Sequence, residues 1–225
     1  MSDNAAIIDL ADMICLTRLR WDFARRRPQH LMSRSARERR VFYVEDPVFS
    51  EPIPRLDIRR GECGVFVVTP HLREGPDDVE APAMEQALLL DELFLEYDLC
   101  DYVLWYYTPA AMAFTWRLDP LLVVYDCIDE PPSLKSGKPS DSAPPSAKQR
   151  EAELLKLADV VFTSGHSLYE SMRHLHHNIH LFPGPFPVDE TPASSNAWDD
   201  AWTRMMNLIN LTFNNRYSED RASRR

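Results

Sequence analysis

Three carboxylates emerge within five residues at the end of an apolar run, in Val123-Val124-Tyr125-Asp126-Cys127-Ile128-Asp129-Glu130. Like charges this close raise at least one pKa unless a cation intervenes, and a site handling protons or sugar hydroxyls can exploit that rise. Asp126, at the end of the run, is placed to point into a crevice, whereas Asp129 and Glu130 follow in the loop. The other reading of Asp126 is a loop-stabilising carboxylate that accepts backbone N–H groups. A second stretch with chemistry is Trp21-Asp22-Phe23, then Arg25-Arg26-Arg27-Pro28-Gln29-His30-Leu31, which leads into a helix N-terminus. Backbone donors there, with Arg27, can hold an anion, and the helix dipole favours the neutral form of His30. Alternatively Arg27 pairs with Asp22, and His30 is a half-buried ring with its hydrogen bonds satisfied.

Three further clusters carry two readings each. The rings of Trp105-Tyr106-Tyr107-Thr108-Pro109 either stack on a sugar or pack a core. Thr163-Ser164-Gly165-His166-Ser167 either lets a ligand approach or caps a helix. His174, His176, His177 and His180 straddle a helix end and a strand, so as metal ligands they do not converge on one ion. Other chemistries are excluded by what is missing. The turn Arg18–Arg27 has no glycine and the chain has only six, which argues against both the GxGxxG fingerprint and the P-loop. There is no GxSxG, HExxH or Cys–His signature. Cys15, Cys63, Cys100 and Cys127 form no CxxC pair and read as reduced thiols.

The elements that must position these groups are visible in the hydrophobic pattern. Apolar runs at Met13–Leu19, Val41–Glu45, Leu56–Ile58, Val65–Thr69, Tyr102–Tyr107, Leu121–Asp126, Asp159–Thr163 and Ile179–Phe182 are continuous, as in strands buried on both faces. Helical patterns fall between them at Pro28–Arg39, Ala83–Tyr97, Pro109–Leu118, Ala147–Leu157 and His166–Leu175. Within Ala83–Tyr97, Met84, Leu88, Asp91 and Leu95, with Ala87, Leu90 and Phe94, make one broad apolar face. This alternation predicts an α/β fold, a Rossmann-like, doubly wound and mostly parallel sheet with right-handed crossovers. It occupies residues 1–183. Pro131–Pro145 reads as a mobile loop within it, 184–197 as a Pro/Ser-rich linker, and Trp198–Phe213 as an amphipathic helix docked on the sheet. Residues 214–225 read as a disordered tail.

Composition sets the outer bounds. The 225 residues are 44% hydrophobic with a net charge of −10, ordinary for a globular chain. Thr17–Arg40 holds nine arginines against Asp22 and Glu38, a local +7 that leaves −17 to the rest. Such a chain is a poor general nucleic-acid binder, while one arginine-rich stretch suits a phosphate-bearing ligand or an acidic partner. No apolar stretch approaches the roughly 20 residues of a membrane span. The first residues carry Asp3, Asp9 and Asp12 where a secretory signal carries positive charge, so the expected location is the cytoplasm.

Taken in order, Trp21-Asp22-Phe23, Arg27-Pro28-Gln29-His30-Leu31, Val41-Phe42-Tyr43-Val44-Glu45, Leu104-Trp105-Tyr106-Tyr107-Thr108-Pro109, Val124-Tyr125-Asp126-Cys127-Ile128-Asp129-Glu130 and Ala158-Asp159-Val160-Val161-Phe162-Thr163 form a recognisable series. Over Met13–Pro183 the chain resembles the N-terminal half of bacterial GT-B glycosyltransferases of the retaining, family-4-like kind. The resemblance implies a two-domain transferase that needs no metal or other cofactor. Its N-terminal half binds a saccharide or lipid-linked acceptor, and a second Rossmann-like half binds the nucleotide-sugar. It also implies that Asp126 and His30 orient or activate the acceptor hydroxyl. Trp21, Arg27, Gln29, Trp105, Tyr107, Asp129 and Glu130 would bind substrate, with Gly165 and Ser167 facing the second half. After His180-Leu181-Phe182-Pro183 the chain departs from the pattern: the second half's paired glutamates and diphosphate-binding basic residues have no counterpart, and Trp198–Phe213 is similar to the family's closing helix. The chain thus resembles a transferase with most of its donor domain deleted. It would be inactive alone or dependent on a partner chain that supplies a donor half, or it is a non-catalytic remnant that binds carbohydrate. Self-association through the uncovered crevice is a further expectation.

Overall fold

The computed structural model describes residues 8, 11–23, 26–49, 52–61, 63–74, 81–128, 145–183 and 192–223. In chain order the strands are β1 (Asp12–Leu16), β2 (Val41–Val44), β3 (Val48–Phe49), β4 (Arg55–Arg60), β5 (Phe66–Leu72), β6 (Tyr102–Tyr106), β7 (Leu122–Cys127), β8 (Val160–Thr163) and β9 (Ile179–Leu181). The helices are α1 (Arg27–Ser35), α2 (Ala81–Tyr97), α3 (Met112–Thr115), α4 (Pro145–Leu157), α5 (His166–Met172) and α6 (Pro192–Ser223). The sheet runs β3-β5-β2-β1-β6-β7-β8-β9, with β4 beside β5. Every pairing is parallel except β4 with β5.

The expected Rossmann-like sheet is therefore present, and its central strands are the continuous apolar runs. All residues of β1, β2, β6, β7 and β8 are buried, because helices cover both faces there. The edge departs from the expectation of strands buried on both sides. In β4, Leu56 and Ile58 are half-buried while Arg55, Asp57, Arg59 and Arg60 are exposed, so one face is solvated and the outer edge carries charge. The two-residue β3 escapes a periodicity reading because it is too short to show a period. Pro109–Leu118 is a 3₁₀ turn at Pro109–Ala111 followed by the single turn of α3, started by the Thr108 hydroxyl accepting from Ala110 N–H at 3.3 Å.

Crossover handedness decides which face each helix takes. Moving outward from β1 to β2 places α1 on one face, whereas β5 to β6 and the steps β6 to β9 run the other way and place α2, α3, α4 and α5 on the opposite face. The α1 face of β6, β7 and β8 thus receives no crossover helix. The long α6 covers it: Trp198, Trp202, Met205, Met206, Ile209 and Phe213 join Leu31 and Met32 of α1 against Cys15, Trp105, Val124 and Phe162. The docked helix is as expected but longer at both ends. Its first residues belong to the segment read as linker, and the segment read as a disordered tail continues the helix to Ser223. Arg216 anchors that extension, its Nη1 lying 2.8 Å from the Asp159 carboxylate. Residues 129–144, which include most of the expected Pro131–Pro145 loop, lie outside the described residues.

Near the C-terminal half of α6, Asn178 donates to Asp159 O at 2.7 Å and to the Thr212 hydroxyl at 3.0 Å, while its Oδ1 lies 2.8 Å from His180 Nε2. Burial, and then His176, hold the His180 imidazole below its ordinary value. The unfolded chain therefore binds more protons once the pH falls below the free imidazole value of about 6.5, so stability is full above it and is lost as pH falls toward the folded pKa. A His180→Gln variant, which keeps a donor for Asn178, is expected to show a shallower decline of melting temperature from about pH 7 to about pH 5. Parallel curves for the two proteins would refute this.

Candidate functional site

The strand order reverses between β1 and β6, and the carboxyl ends of β1, β6, β7 and β8 open along one edge of the sheet, the position at which open α/β sheets bind ligands. The loop from β1 to α1 is fixed there by its own polar groups. Gln29, 3% exposed, accepts from Arg26 N–H at 3.1 Å through Oε1 and donates from Nε2 to Arg20 O at 3.2 Å. Glu45, 6% exposed at the end of β2, accepts from Trp21 N–H at 2.6 Å, from Arg20 Nη1 at 3.0 Å and from the Thr69 hydroxyl at 2.9 Å. Trp21 is thereby set half-buried, its ring edge-on to Tyr43 at 4.9 Å. Gln29 is occupied by loop backbone. Glu45 was not singled out from sequence, although a carboxylate immediately after an apolar strand, the pattern that marks Asp126, was there to be read.

The centre of this edge is an ion pair. Arg27 begins α1 and forks onto Asp126, Nε to Oδ2 at 3.0 Å and Nη2 to Oδ1 at 3.0 Å. Its Nη1 donates to Phe182 O, and Nη2 lies 4.0 Å from Met205 Sδ. One guanidinium thus ties α1 to β7, to the chain leaving β9 and to α6. The carboxylate of Asp126 is completely buried and the Arg27 side chain is 9% exposed. Arg27 does not pair with Asp22, which instead meets Arg59 at 2.5 Å. Burial pushes the Asp126 carboxyl up, opposed by Arg27 and then by the Tyr107 and Trp105 side chains. Among the described residues the Tyr107 hydroxyl and the Trp105 indole N–H have no other hydrogen-bond partner. Burial works against the charge on Arg27, yet Asp126 holds its pKa above the ordinary value, so the guanidinium stays charged. Burial and then Asp126 push up both the Tyr107 hydroxyl and the Cys15 thiol.

The sequence-derived site residues divide by exposure. Trp105 is fully buried between Phe162 and Trp202, ring centroids 6.0 Å from each, so its ring faces are taken by the core. Tyr107 is buried beside it. His30 stacks on Trp198 of α6 at 4.7 Å and 10° between planes, half-buried. Gly165 precedes the first turn of α5 in extended backbone, with nothing within 4 Å of where a Cβ would stand, and Ser167 is exposed. Ser164 ties this turn to β7, donating from Oγ to Ile128 O at 2.9 Å. Asp129 and Glu130 lie outside the described residues. The structure therefore unites Arg27, Asp126, Trp105 and Tyr107 in one buried cluster, and leaves Trp21, His30, Gly165 and Ser167 at the rim.

Among the described residues no group of three or more His, Cys, Asp or Glu is placed to hold a metal ion. Of the histidine cluster, His176 lies 2.9 Å from Ala158 O through Nε2 and accepts from Asn178 N–H at Nδ1. No helix among the described residues is long and apolar enough to cross a membrane.

No protein-family model and no curated protein matches the chain. Among solved structures, sucrose-phosphate synthase from Thermosynechococcus elongatus is similar over 77% of this chain and 48% of its own, with a TM-score of 0.57 at 10% identity. A structure of trehalose-6-phosphate from E. coli bound with UDP-2-fluoro glucose is similar over the same shares, with a TM-score of 0.49 at 10% identity. The likeness to the first shows the fold, a mostly parallel Rossmann-like α/β sheet. This chain spans about half the length of each of these structures, 48%.

Proposed function

We propose that this chain forms the acceptor-side wall of a sugar-transferring site, working with a nucleotide-sugar bound by a second Rossmann-like half. The observation that carries the reading is the fold shared with a sucrose-phosphate synthase over 48% of that enzyme. The resemblance of the ordered sequence series to retaining, family-4-like GT-B transferases supports it. In this reading the rim groups Trp21, His30, Gly165 and Ser167, with Asp129 and Glu130, contact the acceptor and the facing half. Asp126 acts through Arg27: the buried fork fixes the first turn of α1, and with it the height and angle of His30. Glycosyl transfer depends on stabilising the departing diphosphate and on holding both substrates in a closed cleft, which one wall does not accomplish alone. The reaction needs no metal in this reading.

The complete enclosure of Asp126 beneath α6 favours a second reading, a carbohydrate-binding module without turnover. Titration calorimetry separates them. The chain alone is expected to release heat with saccharides or sugar phosphates and none with UDP, GDP or their sugar conjugates. Micromolar binding of a nucleotide would overturn the acceptor-wall assignment. Sugar transfer on adding a donor-half protein supports the first reading, and sugar binding that never leads to transfer with any such half supports the second.

A further inference from the structure

Helix α2 is apolar on two opposite sides. Leu90, which the spacing places on the apolar face, is buried against the sheet together with Leu93, but Met84, Leu88 and Leu95, which that spacing places on the same apolar face, are 53%, 52% and 83% exposed. At 100° per residue these three lie within about 40° of one another, so they form one line along the helix rather than scattered contacts. Asp91 falls on the same line and is held by Arg117 Nη2 at 2.7 Å. Arg117 also lies over the ring of its neighbour Trp116, 5.6 Å from the centroid, and that ring is 66% exposed. An exposed apolar line of three turns is the receiving surface for another helix.

Charge selects among the occupants. Helix α2 carries Glu85, Asp91, Glu92 and Glu96 and no Lys or Arg; Arg73 and Arg117 pair with the first two, so Glu92 and Glu96 carry the negative charge of this face. A second copy presenting this same face would set carboxylates against carboxylates, and an anionic bilayer would be repelled in the same way. We propose that the exposed face of α2 docks a helix of another protein whose apolar stripe is bordered by Lys or Arg. Leucines or aromatics of the partner would fill the line from Met84 to Leu95, and its basic flanks would meet Glu92 and Glu96. The face belongs to the helix layer of α2–α5, on the other side of the sheet from the cluster under α6, so the proposal stands independently of the sugar-transfer reading.

The test uses the full chain and two fluorescent 18-residue peptides of the same leucine and lysine composition, one with leucines on a single helical face and one with them dispersed. The amphipathic peptide is expected to bind about tenfold more tightly than the dispersed one, and Leu88→Ser with Leu95→Ser to abolish that difference while leaving the melt unchanged. Glu92→Gln with Glu96→Gln is expected to weaken binding about tenfold at low salt and to flatten its salt dependence. Equal binding of the two peptides, or unchanged binding by the serine variant, overturns the proposal. So does a dimer in light scattering that the serine variant abolishes, or sedimentation with phosphatidylglycerol vesicles.

Discussion

Replacing Trp202 by alanine is expected to destabilise the fold by about 3–5 kcal/mol, the usual cost of removing a buried aromatic ring from a core. For a chain of this size that corresponds to a fall of roughly 10 °C in Tm. The reason is topological. Trp202 is 5% exposed and packs on Trp105, in the half of the α1 face that right-handed crossovers leave bare. No other helix among the described residues covers that area, so the sheet cannot compensate by repacking locally. Leu211, on the same helix but 58% exposed, supplies the control: Leu211→Ala should shift Tm by less than about 2 °C. Removing Pro192–Ser223 altogether should abolish the cooperative melt. Calorimetry on the three proteins tests this, and equal melting of Trp202→Ala and the parent would mean that α6 is an ornament on a self-sufficient sheet.

Asp126→Ala is expected to cost about 3–5 kcal/mol, because it leaves the Arg27 guanidinium buried with its compensating charge removed. Phe182 O, a neutral acceptor, does not replace the charge and hydrogen bond of the lost carboxylate. Asp126→Asn should cost less, since the amide keeps one acceptor and the shape. The pair is a different matter from its members: Arg27→Met combined with Asp126→Leu should be neutral or more stable than the parent by about 1–4 kcal/mol, since both desolvation costs vanish together. Denaturant titration of the single and double variants measures the coupling. Additive losses in the double variant would contradict a closed ion pair. If the double variant keeps its stability and loses sugar binding, the pair serves to position the rim of the site.

Much of the fold was legible because its central strands are buried on both faces and so read as unbroken apolar runs, as in Val41–Val44, Tyr102–Tyr106 and Leu122–Cys127. Legibility fell where burial is one-sided or brief. The edge strand β4 alternates, and β3 is too short for any period to register. In α2 the pattern was apolar on both sides, and spacing alone did not tell which side met the sheet. The candidate site was half legible. Asp126 and Arg27 each stood out by type and position at a strand end and a helix start, but 99 residues separate them and no local pattern pairs them. Trp105 read equally as a ring for stacking a sugar or for packing a core, since an aromatic residue at a strand end has the same sequence signature whether or not a later helix lands on it.

The sequence by itself determined the alternation of strands and helices, the amphipathic character of Trp198–Phe213, and the absence of glycine-rich phosphate loops, because each depends on neighbours within a few residues. Only the tertiary structure decided that α6 lies over β6–β8, that Arg27 meets Asp126 rather than Asp22, and that Trp105 and Asp126 are sealed while His30 and Ser167 stay at the rim. Those outcomes follow from crossover handedness and from the need to cover the bare half of a sheet face. That requirement joins residues far apart in the chain and exists only once the sheet has formed.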